Sequence, residues 1–87
     1  MLDEFLGQVV LIDLRSPFVC LGTLAAADEL WLEIRDADLH DLRDTRTSRE
    51  NYIASSVLTG IKRNRKRVLV VRSDVVAVSR LDDFVDE

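Results

Sequence analysis

Two blocks of alternating apolar residues are separated by a stretch of different period. In QVVLIDLR, Val10, Ile12 and Leu14 fall on one face and Val9, Leu11 and Asp13 on the other, as in a strand with both faces partly covered. Ser16-Pro17 then breaks the pattern, since proline fixes its φ and cannot donate to a ladder. A hairpin follows, with Val19, Cys20, Leu21, Thr23 and Leu24 before Asp28-Glu29, and Leu30, Leu32 and Ile34 alternating with Trp31, Glu33 and Arg35 after it. Gly22 weakens a flat strand, so it marks a sharp bend or a close backbone approach, as a small barrel needs at its corners. Ahead of these strands, Leu2, Phe5 and Leu6 have helical spacing, Asp3 and Glu4 suit a helix start and Gly7 ends it.

After Ala37 the alternation dissolves into the polar DLHDLRDTRT. A helix is then expected over residues 48–58: Thr47 caps it, Glu50 reaches back, and Tyr52, Ile53, Val57, Leu58 and Ile61 form its apolar stripe, closed near Gly60. Only about three turns long, this helix must be held by tertiary contact, with Ile53 and Val57 facing protein. The second apolar block, RVLVVRSDVVAVSRL, predicts strands at 67–71 and 75–79 joined by a tight turn at Arg72-Ser73-Asp74.

Composition narrows the class. A chain of 87 residues makes one domain that buries about 60–65% of its unfolded surface, which favours association with its own kind. No apolar run approaches the ~18 residues of a membrane span, and MLDEFLG lacks the basic and long apolar regions of a secretory signal. A soluble cytoplasmic protein is therefore expected, its single cysteine, Cys20, a buried small hydrophobe. The net charge of −4 argues against a surface coated with nucleic acid. The charge is uneven, however: five of the six residues 62–67 are basic, whereas 82–87 carry four acids and no base.

A short helix, three strands, a variable connection and two more short strands resemble the Sm/LSm (Sm-like) RNA-binding family. Leu6-Gly7, Val10, Ile12, Leu14, Gly22-Thr23-Leu24 and Asp28 follow the family's first motif without a gap. Leu30 stands at its methionine and Trp31 at its asparagine; Val71-Arg72-Ser73 is similar to the isoleucine, arginine and glycine of the second motif. The resemblance implies a mainly β fold, a five-stranded bent antiparallel sheet forming a small open barrel. It carries a short N-terminal helix and a helical insertion between strands three and four. It also implies a hexameric or heptameric ring, closed by pairing the fourth strand of one subunit with the fifth of the next. Inside it, single-stranded, uridine-rich RNA would be bound without catalysis. Two short apolar edges agree with that, because exposed they would aggregate. Carried over, Asp28 orients the turn, Trp31 replaces the asparagine, Arg72 lies beside the base and Ser73 replaces the glycine. An indole offers no paired donor and acceptor to a base edge, which leaves sequence-tolerant stacking.

Other readings stay open. Trp31 is either a base platform or an aromatic packed on a neighbouring subunit. Arg72 either contacts RNA or pairs with Asp74 in a solvated turn. Lys62, Arg63, Arg65, Lys66 and Arg67 are either a second RNA contact or a solvated connection. The whole assembly is alternatively a protein-interaction ring that binds no RNA. His40, near Asp38 and Asp41, reads as a solvated loop histidine, because a zinc site needs three or four ligands. No motif positions a base to activate a serine, and three glycines make no phosphate loop, so neither catalysis nor a cofactor is expected.

Overall fold

The computed structural model describes residues 1–44 and 47–86. Thr45 and Arg46 of the polar stretch, and Glu87 of the acidic end, lie outside the described residues. Five strands, β1 (Val9–Leu14), β2 (Phe18–Ala27), β3 (Trp31–Asp41), β4 (Arg65–Val71) and β5 (Val75–Arg80), form one sheet in the order β4-β3-β2-β1-β5. Every ladder is antiparallel. The outer strands β4 and β5 are not paired with each other, so the sheet is open at both edges. A helix, α1 (Arg49–Thr59), lies between β3 and β4 in sequence, and the N-terminal helix is a single 3-10 turn, Leu2–Phe5.

The sheet bends where its register slips. The β2–β3 ladder shifts between Leu21 and Thr23 and again between Leu24 and Ala26, and the β1–β5 ladder shifts between Asp13 and Leu14. Such bulges bend a strand and increase its twist. At the first shift a Cβ on Gly22 would lie 2.6 Å from Ile34 Cγ2 and 2.9 Å from the Arg35 carbonyl oxygen. The glycine is thus a close approach, as its place in the strand implies. Asp36, opposite it, takes a φ of 49°.

Alternation along β1 and β2 divides the interior in two. Val10, Ile12, Cys20 and Leu24 join Leu32, Ile34, Ala37 and Val70 inside the curved sheet, with Leu2 and Phe5 closing one side. Leu11, Val19 and Leu21 face outward and are covered by Ile53 of α1 and by Leu81 and Phe84 beyond β5. Both faces of β1 are therefore partly covered, as its pattern predicts, with Val9 left exposed at its start.

Four expectations need correction. β3 does not stop at Ala37 but runs to Asp41, because its polar residues are satisfied in place. The Tyr52 hydroxyl donates to Asp38, and the Asn64 side chain bonds both the N–H (3.0 Å) and the carbonyl (3.0 Å) of Leu39. β4 correspondingly starts at Arg65, so part of the basic run is strand. Ser48, not Thr47, caps α1, its hydroxyl accepting from the Asn51 N–H at 3.1 Å. On α1, Ile53 and Ser56 are buried, whereas Val57 and Leu58 are exposed, so the stripe turns inward one residue earlier than its apolar residues suggest. Gly60 closes the helix at φ 92° with its N–H on the Ser56 carbonyl. Arg49, at the other end, pairs with Asp13 of β1.

Candidate nucleic-acid interface

Between β2 and β3 the chain turns in three residues, and Asp28 organises the turn. Its Oδ1 accepts the N–H groups of Leu30 (2.8 Å) and Trp31 (2.7 Å), while its own N–H donates to the Trp31 carbonyl. Those two backbone donors, with the Arg72 charge nearby, hold the Asp28 carboxyl below the usual carboxylate range. The turn between β4 and β5, a 3-10 turn Arg72–Asp74, docks against it. Arg72 donates its backbone N–H to the Leu30 carbonyl at 2.8 Å and a guanidinium N–H to the Asp28 carbonyl at 2.5 Å. Asp74 is not its partner: that carboxylate accepts from the Ser16 hydroxyl at 2.9 Å. Two loops 44 residues apart are thereby locked into one surface.

Asp28, Trp31, Arg72 and Ser73 are thus brought together. A cleft of about 340 Å³ is lined by Trp31, Arg72 and Ser73 with Glu29, Leu30 and Val71. Trp31 starts β3 opposite Val71, and its indole is 42% exposed. Leu30 is 68% exposed, Leu69 and Val71 nearly half. Large apolar side chains grouped around a cationic group mark a surface suited to a flat, partly apolar ligand. Sequence reasoning missed Leu30 and Val71 as cleft residues, because alternation assigns apolar residues to a core and cannot show where a strand leaves it.

The basic run is divided among three places. Arg67 is nearest Trp31, in a neighbouring cleft with Leu69, but it pairs with Glu33 at 3.2 Å. Arg35 also bonds Glu33, at 2.8 Å, and these two arginines hold that carboxyl below its usual range. Arg63, Arg65 and Lys66 line a hollow of about 510 Å³ at the other end of β4, with Arg63 3.3 Å from Asp36. Arg65 and Val71 bound the strand six residues apart, roughly 20 Å along it. Lys62 faces a third hollow, of about 320 Å³, beside α1 with Asp38, His40 and Tyr52.

That last hollow corrects the reading of His40. It lies in β3, not in a loop, and its ring stacks on Tyr52 at 3.9 Å and 9°. Burial first, then the hydrogen bond to Asp38 and its charge, push the Tyr52 phenol far above its ordinary range. Burial, helped by Asp38, raises the Cys20 thiol to about 12. Tyr52 thereby joins α1 to β3 through both Asp38 and His40.

The architecture matches solved structures. An Sm protein of Pyrococcus abyssii, solved in complex with a uridine heptamer, is similar over 90% of this chain and 89% of that one, with 19% identity and a TM-score of 0.61. A heptameric archaeal Sm protein is similar over 91% of this chain and 93% of that one, with 21% identity and a TM-score of 0.60. The chain has the Sm fold. No protein-family model matches the sequence, and the search of curated proteins finds no match. The Sm likeness is therefore one of backbone path over about nine-tenths of the chain. Among the described residues no helix is long and apolar enough to cross a membrane.

Proposed function

We propose that this Sm-like chain forms a homo-oligomeric, non-catalytic cytoplasmic ring that binds single-stranded RNA at the surface made by Asp28, Trp31, Arg72 and Ser73. One observation carries the reading: the Arg72 guanidinium bonds the Asp28 carbonyl, so that an exposed indole and a fixed cation share one cleft. Only one donor of the guanidinium is spent there, and its fork matches a phosphate or a base edge. The indole supplies a stacking surface. Likeness to a protein solved with a uridine heptamer supports RNA as the ligand, and likeness to a heptameric one supports the ring. The open edges β4 and β5 support closure too, since Leu69, Val71 and Val76 are exposed along them.

Titration with oligouridine and oligoadenine at two salt concentrations tests the proposal, with the assembly followed by native mass spectrometry. Affinity falls as salt rises, because phosphate contacts release counterions. Trp31→Ala costs about 1–3 kcal/mol per stacked base with little change in salt slope, whereas Arg72→Ala flattens the slope. Uridine and adenine runs bind nearly alike, since stacking reads no base edge. An intact ring whose affinity ignores Trp31→Ala refutes the RNA site, and a ring with no RNA affinity at all points to the protein-interaction alternative.

A further inference from the structure

We infer that the basic start of β4 and the acidic segment after β5 are two halves of a charge clasp between adjacent copies of this chain. The inference rests on the ring reading above. β4 and β5 are the two free edges, and all four ladders of the sheet are antiparallel. A neighbour's β5 added to β4 in the same sense overlaps almost completely, because the strands are six and seven residues long. Arg65 then lies opposite the end of the neighbour's β5, where the chain continues into Asp82, Asp83 and Asp86. Parallel addition would instead carry those acids to the apolar Val71 end.

Both halves are under-paired within one copy. Arg65 and Lys66 have no carboxylate partner among the described residues, in contrast to Arg63 and Arg67. Asp83 and Asp86 have no basic partner among the described residues, and Asp82 has only Arg80, at 3.9 Å. All five of these side chains are exposed. The acids are nevertheless held in place, because Leu81 is buried and Phe84 packs beside it against the cluster under α1. Arg80 is the one like charge in the contact, and its own Asp82 offsets it. Opposite potentials on two edges of the same chain select head-to-tail order and steer subunits together. Arg65 and Lys66 are then engaged by a neighbour, which leaves Arg72 as the principal phosphate contact.

Two charge-reversed variants test this: Arg65→Glu with Lys66→Glu on one edge, and Asp82→Lys with Asp83→Lys on the other. Assembly of each is followed by native mass spectrometry and sedimentation at low and high salt, with circular dichroism as the check on folding. Each variant alone dissociates at a concentration at least about tenfold higher than wild type in low salt, because like charges meet at every contact. Combining all four substitutions in one chain restores the assembly, because every contact then again joins opposite charges. A wild-type ring that neither variant weakens overturns the clasp and leaves the ring reading standing. Dissociation of either variant without rescue by the fourfold exchange also overturns it. A wild-type chain that stays monomeric at every concentration removes the ring, and the clasp with it.

Discussion

Tyr52 is the only tyrosine of the chain, so its phenol can be followed alone as pH rises. Burial dominates its environment, with the hydrogen bond to Asp38 and the Asp38 charge adding to it, and all three raise its pKa above the ordinary value of about 10. A group whose folded pKa is raised contributes stability that is fully present below its unfolded pKa. That contribution is lost only as pH climbs through the folded value. No tyrosinate absorbance should therefore develop near pH 10 while the circular dichroism remains native; it should appear together with alkaline unfolding. Tyr52→Phe keeps the ring and its stack on His40 but takes a donor from Asp38, whose side chain is only 4% exposed. A hydrogen bond to a charged group contributes about 1.5–3 kcal/mol, and partial exposure of the tyrosine puts the loss toward the lower end of that range. Urea unfolding at fixed protein concentration measures it. Asp38→Asn should bring the phenol only part of the way back, since burial remains. A tyrosinate step at pH 10 in the native protein, or a loss below about 0.5 kcal/mol in Tyr52→Phe, would refute the reasoning.

Gly22→Ala should destabilise by about 1–3 kcal/mol in the same assay, because the added Cβ meets the Arg35 backbone oxygen as well as the Ile34 side chain; a neutral result means that β3 yields freely. Ile53→Ala should cost about 2–5 kcal/mol, since Ile53 is fully buried between α1 and the sheet, and a cost near that of a surface change would show that α1 is not docked. Asp28 has a lowered folded pKa, so the stability it gives is present above its ordinary value of about 3.9 and disappears as pH falls through the lower folded value. Asp28→Asn, which keeps an acceptor oxygen without the charge, should flatten stability between pH 5 and 2 relative to wild type, and an unchanged pH profile would remove Asp28 from the account.

Strands were legible wherever the alternation had two partners to satisfy. β1 reads correctly on both faces because Val10 and Ile12 enter one cluster and Leu11 the other. The second half of β3 was hidden for a definite reason. Asp38 and His40 look like loop residues, and they become strand residues only because Tyr52, fourteen positions after Asp38, supplies a donor to one and a stacking face to the other. The extra pairing contributed by Asn64 to Leu39 is equally non-local. Local propensity cannot contain such compensation. The same holds for α1, whose inward face includes Ser56, a residue with its own acceptor at the Tyr52 carbonyl 3.0 Å away.

The candidate site was legible in its residues and not in its construction. Asp28 and Arg72 could be named from motif position, but 44 residues separate them, and what joins them is a pair of hydrogen bonds from one arginine to two carbonyls of the facing turn. That arrangement explains how a serine can stand at position 73. A glycine is demanded only where φ is positive, and among the described non-glycine residues only Asp36 takes a positive φ. The Arg72–Asp74 turn is built as 3-10 instead, closed by its own Val75 N–H on the Arg72 carbonyl. Replacing the motif glycine therefore leaves the turn unstrained. The departure with a cost to weigh is Trp31, where a large indole is left 42% exposed. Exposure of an aromatic beside Leu30, Leu69 and Val71 is unfavourable in an isolated subunit, so the surface gains most when a base or a neighbour covers it.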